Sequence, residues 1–294
     1  MNINHELYKV FYYVAEYLSF SQAANKLFIS QSAVSQSIKS LEEELNTTLF
    51  IRSTKQVALT KEGEVLFKHI EPAFNLIKNG ERSIQEINSF KRGEIHLGAN
   101  DTICKYFLLP YLKKFHQLYP QIHIQITNRT SSKCVQLLKQ GKVDLIISNL
   151  PNKEVTDFME VEQVYTFNDI LISGDKYKQL KEKKVSLDNL SDYPLLMLEK
   201  KTTTRKFFEE FISQLGINLQ PEVELGSVDL LIEMARIGLG ISFVPNYCLQ
   251  GTEAGLFKVN LAEELPQRNL AIITNKKIPF SLASKKFMGL LLGK

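Results

Sequence analysis

Ser30, Gln31, Ser32, Ser35 and Gln36 crowd a seven-residue stretch, and Lys39 follows one turn later. Hydroxyls and carboxamides of this size can donate to and accept from base edges, and a lysine can meet guanine acceptors. Between them Val34, Ile38, Leu41 and Leu45 recur at four, three and four residues, which predicts a helix with one inward face and this polar set on the other. Ser30 suits the N-cap, with Ile29 and Val34 spaced to clamp the incoming chain as a hydrophobic staple. A shorter helix is expected just upstream, opening at Ser21 and carrying Ala23, Ala24 and Leu27. Two short helices, a tight turn and a polar outer face make a helix-turn-helix, although an ordinary helical hairpin with a solvated face fits the same pattern. Glu42, Glu43 and Glu44 end the second helix, where the macrodipole disfavours anions and phosphates would repel them. A helix that meets DNA with its N-terminal residues turns that acidic end away.

The neighbouring segments must hold this surface in place. Residues 4–18 read as a supporting helix with a stripe of Leu7, Phe11, Val14 and Leu18. From Thr48 to Thr60 two strand-like pieces flank a turn around Ser53 to Gln56, a β-hairpin wing on which Arg52 and Lys55 are candidate phosphate contacts or plain surface cations. Beyond Gly63 a long helix is expected to about Phe90. Leu66, Ile70, Ala73, Ile77, Gly80, Ile84 and Ile87 keep spacings of four and three, the seam of a coiled coil joining two copies rather than a face packed on its own chain. Pro72 should kink that helix, and Gly80 weakens it.

The charge balance narrows the partners. The whole chain carries a formal charge of only +4, and residues 1–62 hold as many acidic as basic side chains. A purely electrostatic DNA binder is thereby disfavoured, and locally placed cations with base readout are favoured. No run approaches the roughly 20 apolar residues needed to span a bilayer, and no basic then apolar leader opens the chain, so no membrane role and a cytoplasmic location are expected. Cys104, Cys134 and Cys248 have no metal-ligand spacing and suit a reducing compartment, as small core residues more than as redox sensors.

After Lys91-Arg-Gly93 the periodicity changes. Strands are expected at 94–99, 122–128, 144–149, 169–173, 195–198, 222–225, 241–244 and 270–274, with helices at about 104–118, 131–140, 203–215, 227–237 and 281–292. The alternation predicts an α/β region with substantially parallel sheets, large enough for two lobes. Ligands of such sheets collect at the carboxyl ends of strands beside helix N-termini. Those places carry Asn100, Thr102, Thr130, Ser131 and Asn149 in one half, and Thr202, Thr203, Thr204 and Ser227 in the other. They suit a small anion, although each is also an ordinary cap or turn residue. Catalytic residues are not found: there is no nucleophile elbow, phosphate-binding loop or His-Glu-x-x-His run, and the five histidines lack metal-ligand spacing, so neither metal nor cofactor is expected.

Residues 5–63 resemble the N-terminal domain of LysR-type transcriptional regulators. The matching stretches are Ser19-Phe-Ser-x-Ala-Ala24, Ser30-Gln-Ser-Ala-Val-Ser-Gln36-x-Ile38-x-x-Leu41-Glu42-x-x-Leu45, Leu49-Phe50-x-Arg52 and Leu59-Thr60-x-x-Gly63. More loosely, Ile95-His-Leu-Gly-Ala99, Gly141-x-Val-Asp-Leu145, Thr204-Arg205, Leu225-Gly-Ser227 and Gly238-Leu-Gly-Ile-Ser242 resemble the family's effector-binding domain. The resemblance implies an α+β chain: a winged helix-turn-helix at 1–62, a linker and dimerisation helix at 63–92, and a two-lobed α/β effector domain of periplasmic-binding-protein fold at 93–294. Its lobes would be 94–162 with 267–294, and 163–266. It also implies a regulator and not an enzyme, whose partners are double-stranded promoter DNA, a small effector, RNA polymerase and further copies of itself as homodimer or homotetramer. Gln31, Ser32, Ser35, Gln36 and Lys39 would face bases; Ser21, Ser30, Arg52 and Thr60 would position the backbone. The run Glu199-Lys-Lys-Thr-Thr-Thr-Arg205 departs from the glycine-containing loop of many members, and Lys200 and Lys201 there are candidate charges for an anionic ligand.

Overall fold

A computed structural model describes residues 3–52, 56–89, 93–251 and 253–293, with the side chains of 86–89 left aside. The chain divides into two compact units, Met1–Ile84 and Gln85–Lys294. No helix among the described residues is long and apolar enough to cross a membrane.

In the first unit α1 (His5–Tyr17), α2 (Phe20–Leu27) and α3 (Gln31–Leu45) enclose a core of Phe11, Val14, Ala23, Val34, Ile38, Leu41 and Leu49, each at most 1 % exposed. Burying side chains of this size contributes about 1.5–3 kcal/mol each, so the inward face of α3 is what holds its outer face still. Small Ala23 and Ala24 let the helices approach. Leu18 and Phe28 sit in left-handed backbone just past α1 and α2 and end those helices. Leu18 is therefore exposed and leaves the expected stripe. Ile29, expected to clamp onto Val34, is exposed as well. The wing is the antiparallel pair β1 (Phe50–Arg52) and β2 (Val57–Leu59); Lys55 lies outside the described residues.

The linker helix α4 (Lys61–Ser89) is continuous, with Pro72 inside it. It docks on its own unit through a face the heptad pattern did not single out. Tyr12 of α1 stacks on Phe74 with centroids 5.1 Å apart, Lys78 Nζ donates to the Tyr12 hydroxyl at 3.1 Å, and Glu71 and Asn75 are buried beside them. Of the expected seam, Leu66 and Ile70 are half-buried against the first core. Ala73, Ile77 and Ile84 stay exposed; the Ile87 side chain lies outside the described residues.

The second unit consists of two lobes built on one plan. In the first, β3 (Glu94–Ala99) pairs in parallel with β4 (His123–Asn128) and β5 (Leu145–Leu150), while β12 (Arg268–Asn275) runs antiparallel between β5 and β6 (Met159–Phe167). In the second, β8 (Leu195–Leu198) pairs in parallel with β9 (Val223–Leu225) and β10 (Ile241–Pro245), while β7 (Asp169–Gly174) runs antiparallel between β10 and β11 (Leu256–Lys258). The sheets are thus mixed rather than mainly parallel. The expected strand at 270–274 is longer, and β6 and β11 were not expected. Because β6 runs to Phe167, the chain crosses between lobes at Asn168, five residues beyond the expected boundary. A shared core, with Leu97, Ile103 and Phe107 from one lobe and Leu196, Val228 and Leu231 from the other, lies between the sheets.

Candidate DNA-reading surface and ligand cleft

On α3, Gln31, Ser32, Gln36 and Lys39 are exposed and Ser35 is half-buried; Ser32, Gln36 and Lys39 lie on the side away from Val34, Ile38 and Leu41, with Gln31 and Ser35 flanking it. The Ser30 hydroxyl caps the helix by accepting from the Ala33 amide at 3.2 Å and lies 2.8 Å from the Ser32 hydroxyl. Lys39 reaches Glu43 at 3.6 Å, an exposed pair that holds it weakly. Helix α2 is capped by Ser19 rather than Ser21: its hydroxyl accepts from the Gln22 amide, and Ser21 lies beside it at 3.1 Å. Ser19 wins because the backbone is still extended there, as a cap requires. Phe28, 95 % exposed in the turn before Ser30, is an apolar projection the sequence reading missed.

Two residues assigned to DNA backbone contact have prior engagements. The Thr60 hydroxyl donates to the Thr48 carbonyl at 2.7 Å and accepts from the Gly63 amide at 2.9 Å, so its hydrogen is spent on joining the wing to α4. Gly63 is required there, since a Cβ would lie 2.2 Å from the Leu49 carbonyl oxygen. Arg52 lies 4.4 Å over the Phe20 ring and 3.8 Å from Glu42, yet keeps 44 % of its side chain exposed. The other oxygen of Glu42 accepts from the Leu49 and Phe50 amides at 2.7 and 3.3 Å. Glu42 is therefore no tolerated anion at a helix end. It fastens the end of α3 to the first strand of the wing.

In the second unit a cleft of about 290 Å³ opens between the lobes. The carboxyl ends of all six parallel strands reach it: Asn100 follows β3, Asn128 ends β4, Asn149 is the last residue but one of β5, Leu198 ends β8, Gly226 follows β9 and Pro245 ends β10. Helices start at the same rim. Asn100 caps α5 (Asp101–Ile103), which continues through a π-helical turn at Cys104–Leu108 into α6 (Leu109–Leu118). Thr130 caps α7 (Ser131–Lys139), Thr202 caps α8 (Thr203–Gln214) and Ser227 caps α9 (Val228–Arg236). Amides of the first turns have no intrahelical partner, so several positive helix ends face one small space.

Asn100, Thr102, Thr130, Ser131, Asn149, Thr202, Thr203 and Thr204 all line this cleft; Ser227 itself does not, being represented by its neighbours Gly226 and Val228. Sequence reasoning missed Asp101, Asn128 and Arg129 on the wall, although Arg129 was readable as the residue after a strand end. Lys201 pairs with Glu199 at 2.7 Å and Lys200 lines a different depression, so neither is among the residues lining the cleft. A larger depression of about 690 Å³ follows residues 258–267, but no helix starts there and its side chains carry both signs. Burial pushes the thiols of Cys104 and Cys134 up to about 11 and that of Cys248 higher still, so all three are protonated, poor nucleophiles at neutral pH.

Comparison with known proteins agrees along the whole chain. Residues 5–64 match the bacterial regulatory helix-turn-helix of the lysR family, and residues 88–294 match the LysR substrate binding domain. The chain is 30 % identical to a probable RuBisCO transcriptional regulator of Cyanidium caldarium, over 94 % of this chain and 89 % of that one. It is 27 % identical to the HTH-type transcriptional activator CmpR of Synechocystis sp., over 97 % and 93 %. Among solved structures, a full-length OxyR variant from Pseudomonas aeruginosa matches with a TM-score of 0.72 at 20 % identity, covering 100 % of this chain and 94 % of that one. Full-length CbnR complexed with its target DNA matches with a TM-score of 0.66 at 17 % identity, covering 99 % of each. The chain belongs to the LysR family of DNA-binding transcriptional regulators.

Proposed function

We propose that this regulator acts as a dimer, or a dimer of dimers, that grips promoter DNA with paired α3 helices and answers to a small anion in the inter-lobe cleft. The observation that carries the ligand half is the convergence of six strand ends and several capped helix starts on one cleft, a geometry suited to an oxyanion or carboxylate. The DNA half rests on Gln31, Ser32, Ser35, Gln36 and Lys39 forming one outward face over a rigid core, with Ser30 and the exposed half of Arg52 aligning the duplex backbone. Self-association is supported by Ile77 and Ile84, 56 % and 61 % exposed along one side of α4. A ligand must favour one arrangement of the oligomer, or it regulates nothing. RNA polymerase is the partner this reading leaves to recruit or exclude, and it asks no catalysis of the chain.

The test is fluorescence anisotropy of the full chain on DNA from its own upstream region, with and without a panel of acetate, succinate, citrate and inorganic phosphate. Sequence-selective binding that one anion shifts supports the reading. Equal binding to every duplex, or no response to any anion alongside no binding by calorimetry, overturns its two halves separately.

A further inference from the structure

Arg268, the first residue of β12, has a fully buried side chain. Its Nη1 donates to Asp169 Oδ2 at 2.8 Å and to the Thr204 hydroxyl at 3.2 Å, and its Nε donates to the Leu150 carbonyl at 3.2 Å. The rings of Phe207 and Phe167 lie 4.6 and 5.3 Å from the guanidinium. The positions of these partners matter. Asp169 is the first residue after the chain crosses into the second lobe, and Arg268 the first of the strand that returns to the first. Leu150 ends a strand of the first lobe, and Thr204 lies in the first turn of α8 in the second. One guanidinium thus touches both crossings and both lobes.

A buried ion pair of this kind gives little net stability over an apolar pair of the same volume, so stability does not account for it. Nor is its bonding complete: Arg268 Nη2 and Asp169 Oδ1 are buried without partners, as is the neighbouring Thr203 hydroxyl. Thr204, by contrast, links inside to outside. It lines the cleft, its oxygen accepts from Arg268, and its hydroxyl hydrogen has no acceptor among the described residues.

We propose that Arg268 is a positioning residue that couples the cleft's occupant to the two strands joining the lobes, and that it makes Thr204 select a hydrogen-bond acceptor. With one of its two oxygen lone pairs taken by Arg268 and its hydrogen unspent, the hydroxyl is polarised toward donating to an acceptor in the cleft. A carboxylate or oxyanion oxygen there completes a relay from ligand to Thr204, to Arg268, to Asp169, in which each bond polarises the next. An acceptor at Thr204 changes the contact that fixes both crossings, so occupancy becomes a change in how the lobes are held. The coupling rests on the reading of the cleft as an anion site.

The experiment is hydrogen exchange of the full chain, following residues 164–172 and 265–272, with acetate, succinate, citrate and inorganic phosphate as probes and calorimetric affinity measured in parallel. In the wild type a bound probe slows exchange in both segments by about tenfold or more. Asp169→Asn removes that slowing while affinity stays within about threefold; should this variant fail to fold because Arg268 is left unpaired, the volume-matched pair Asp169→Leu with Arg268→Met serves instead. Thr204→Val lowers affinity and slowing together. Slowing that persists in the Asp169 variants overturns the relay while leaving the cleft as a ligand site. Absence of binding by every probe to the wild type overturns the cleft reading and the relay with it.

Discussion

On α3 the outward polar side chains lie within nine residues of one another, from Gln31 to Lys39, whereas the cleft gathers its lining from segments spread between Asn100 and Pro245. The first surface is a local display over an apolar core, with only the wing fastened by a carboxylate. The second is assembled by tertiary structure, and a buried polar network lies beside the apolar core that the two lobes share. The contrast follows from what each must do. A helix that reads bases has to stay rigid, and close-packed Val34, Ile38 and Leu41 achieve that. A cleft that answers to a ligand needs two arrangements of nearly equal energy, and hydrogen bonds that can be exchanged supply them more readily than packed methyl groups.

The largest effect expected from this contrast belongs to the linker helix, because reading two half-sites multiplies whatever one α3 contributes. Ile77→Glu with Ile84→Glu should leave each unit folded, convert the oligomer to monomer in sedimentation, and weaken DNA binding by about a hundredfold or more. A dimer that survives both changes would move the interface elsewhere on the chain.

Next in size is the difference between concentrated and distributed contacts. Gln36→Ala and Lys39→Ala should each cost about 1–3 kcal/mol of specific DNA affinity if they meet base edges. Single cleft changes such as Thr130→Val or Thr202→Val should cost only about 0.5–1.5 kcal/mol of anion affinity, because other hydroxyls and free amides share the load. Losses of equal size at both surfaces, measured by anisotropy and calorimetry, would erase the distinction.

The same division explains what could be read in advance. The face of α3 was legible because helix periodicity is local, and eight of the nine residues expected around a ligand come together because strand ends and helix caps announce themselves in sequence. Arg268 was not legible: its partner Asp169 lies 99 residues away, and nothing local marks a charge as buried. Strand β6 was missed because Met159-Glu-Val-Glu-Gln-Val-Tyr-Thr-Phe167 is a largely exposed strand at the edge of its sheet. Glu42 was misread for a different reason. Taken with its two neighbours it looked like a charge at the wrong end of a dipole, and only the fold brings the Leu49 and Phe50 amides to it.

Glu42 therefore offers a finer test of how far local reading suffices. Glu42→Gln keeps an oxygen for the two wing amides but loses the attraction to Arg52; Glu42→Ala leaves both amides without that acceptor, at about 1–3 kcal/mol. The alanine variant should loosen the wing in hydrogen exchange and weaken DNA binding. The glutamine variant should keep the wing, release Arg52 toward phosphate and steepen the salt dependence of binding by about one. Identical behaviour of the two would mean that the ion pair, and not the wing amides, is what matters.

The smallest expected effect concerns the rim of the cleft, where the lobes touch through exposed charge. Lys105 Nζ and the Tyr106 hydroxyl, from the π-helical turn of the first lobe, donate to the same oxygen of Asp229 on α9 of the second at 2.8 and 2.5 Å. Burial works against the Asp229 carboxylate, but these two hydrogen bonds and the Lys105 charge outweigh it and hold its pKa below the ordinary 3.8, while the Asp229 and Tyr106 bonds raise that of Lys105. A carboxyl group lowered on folding contributes stability that is complete above its unfolded pKa and is lost as pH falls through the folded one. An amine raised on folding contributes stability that is complete below its unfolded pKa of 10.5 and fades only above it. Between pH 5 and 9 the clasp should therefore be constant, and the difference in melting temperature between wild type and Asp229→Asn should be flat over that range and shrink only below about pH 4. Salt should reduce it, since half of Lys105 is exposed. A difference that instead changes between pH 6 and 8 would show that another titrating group governs the rim.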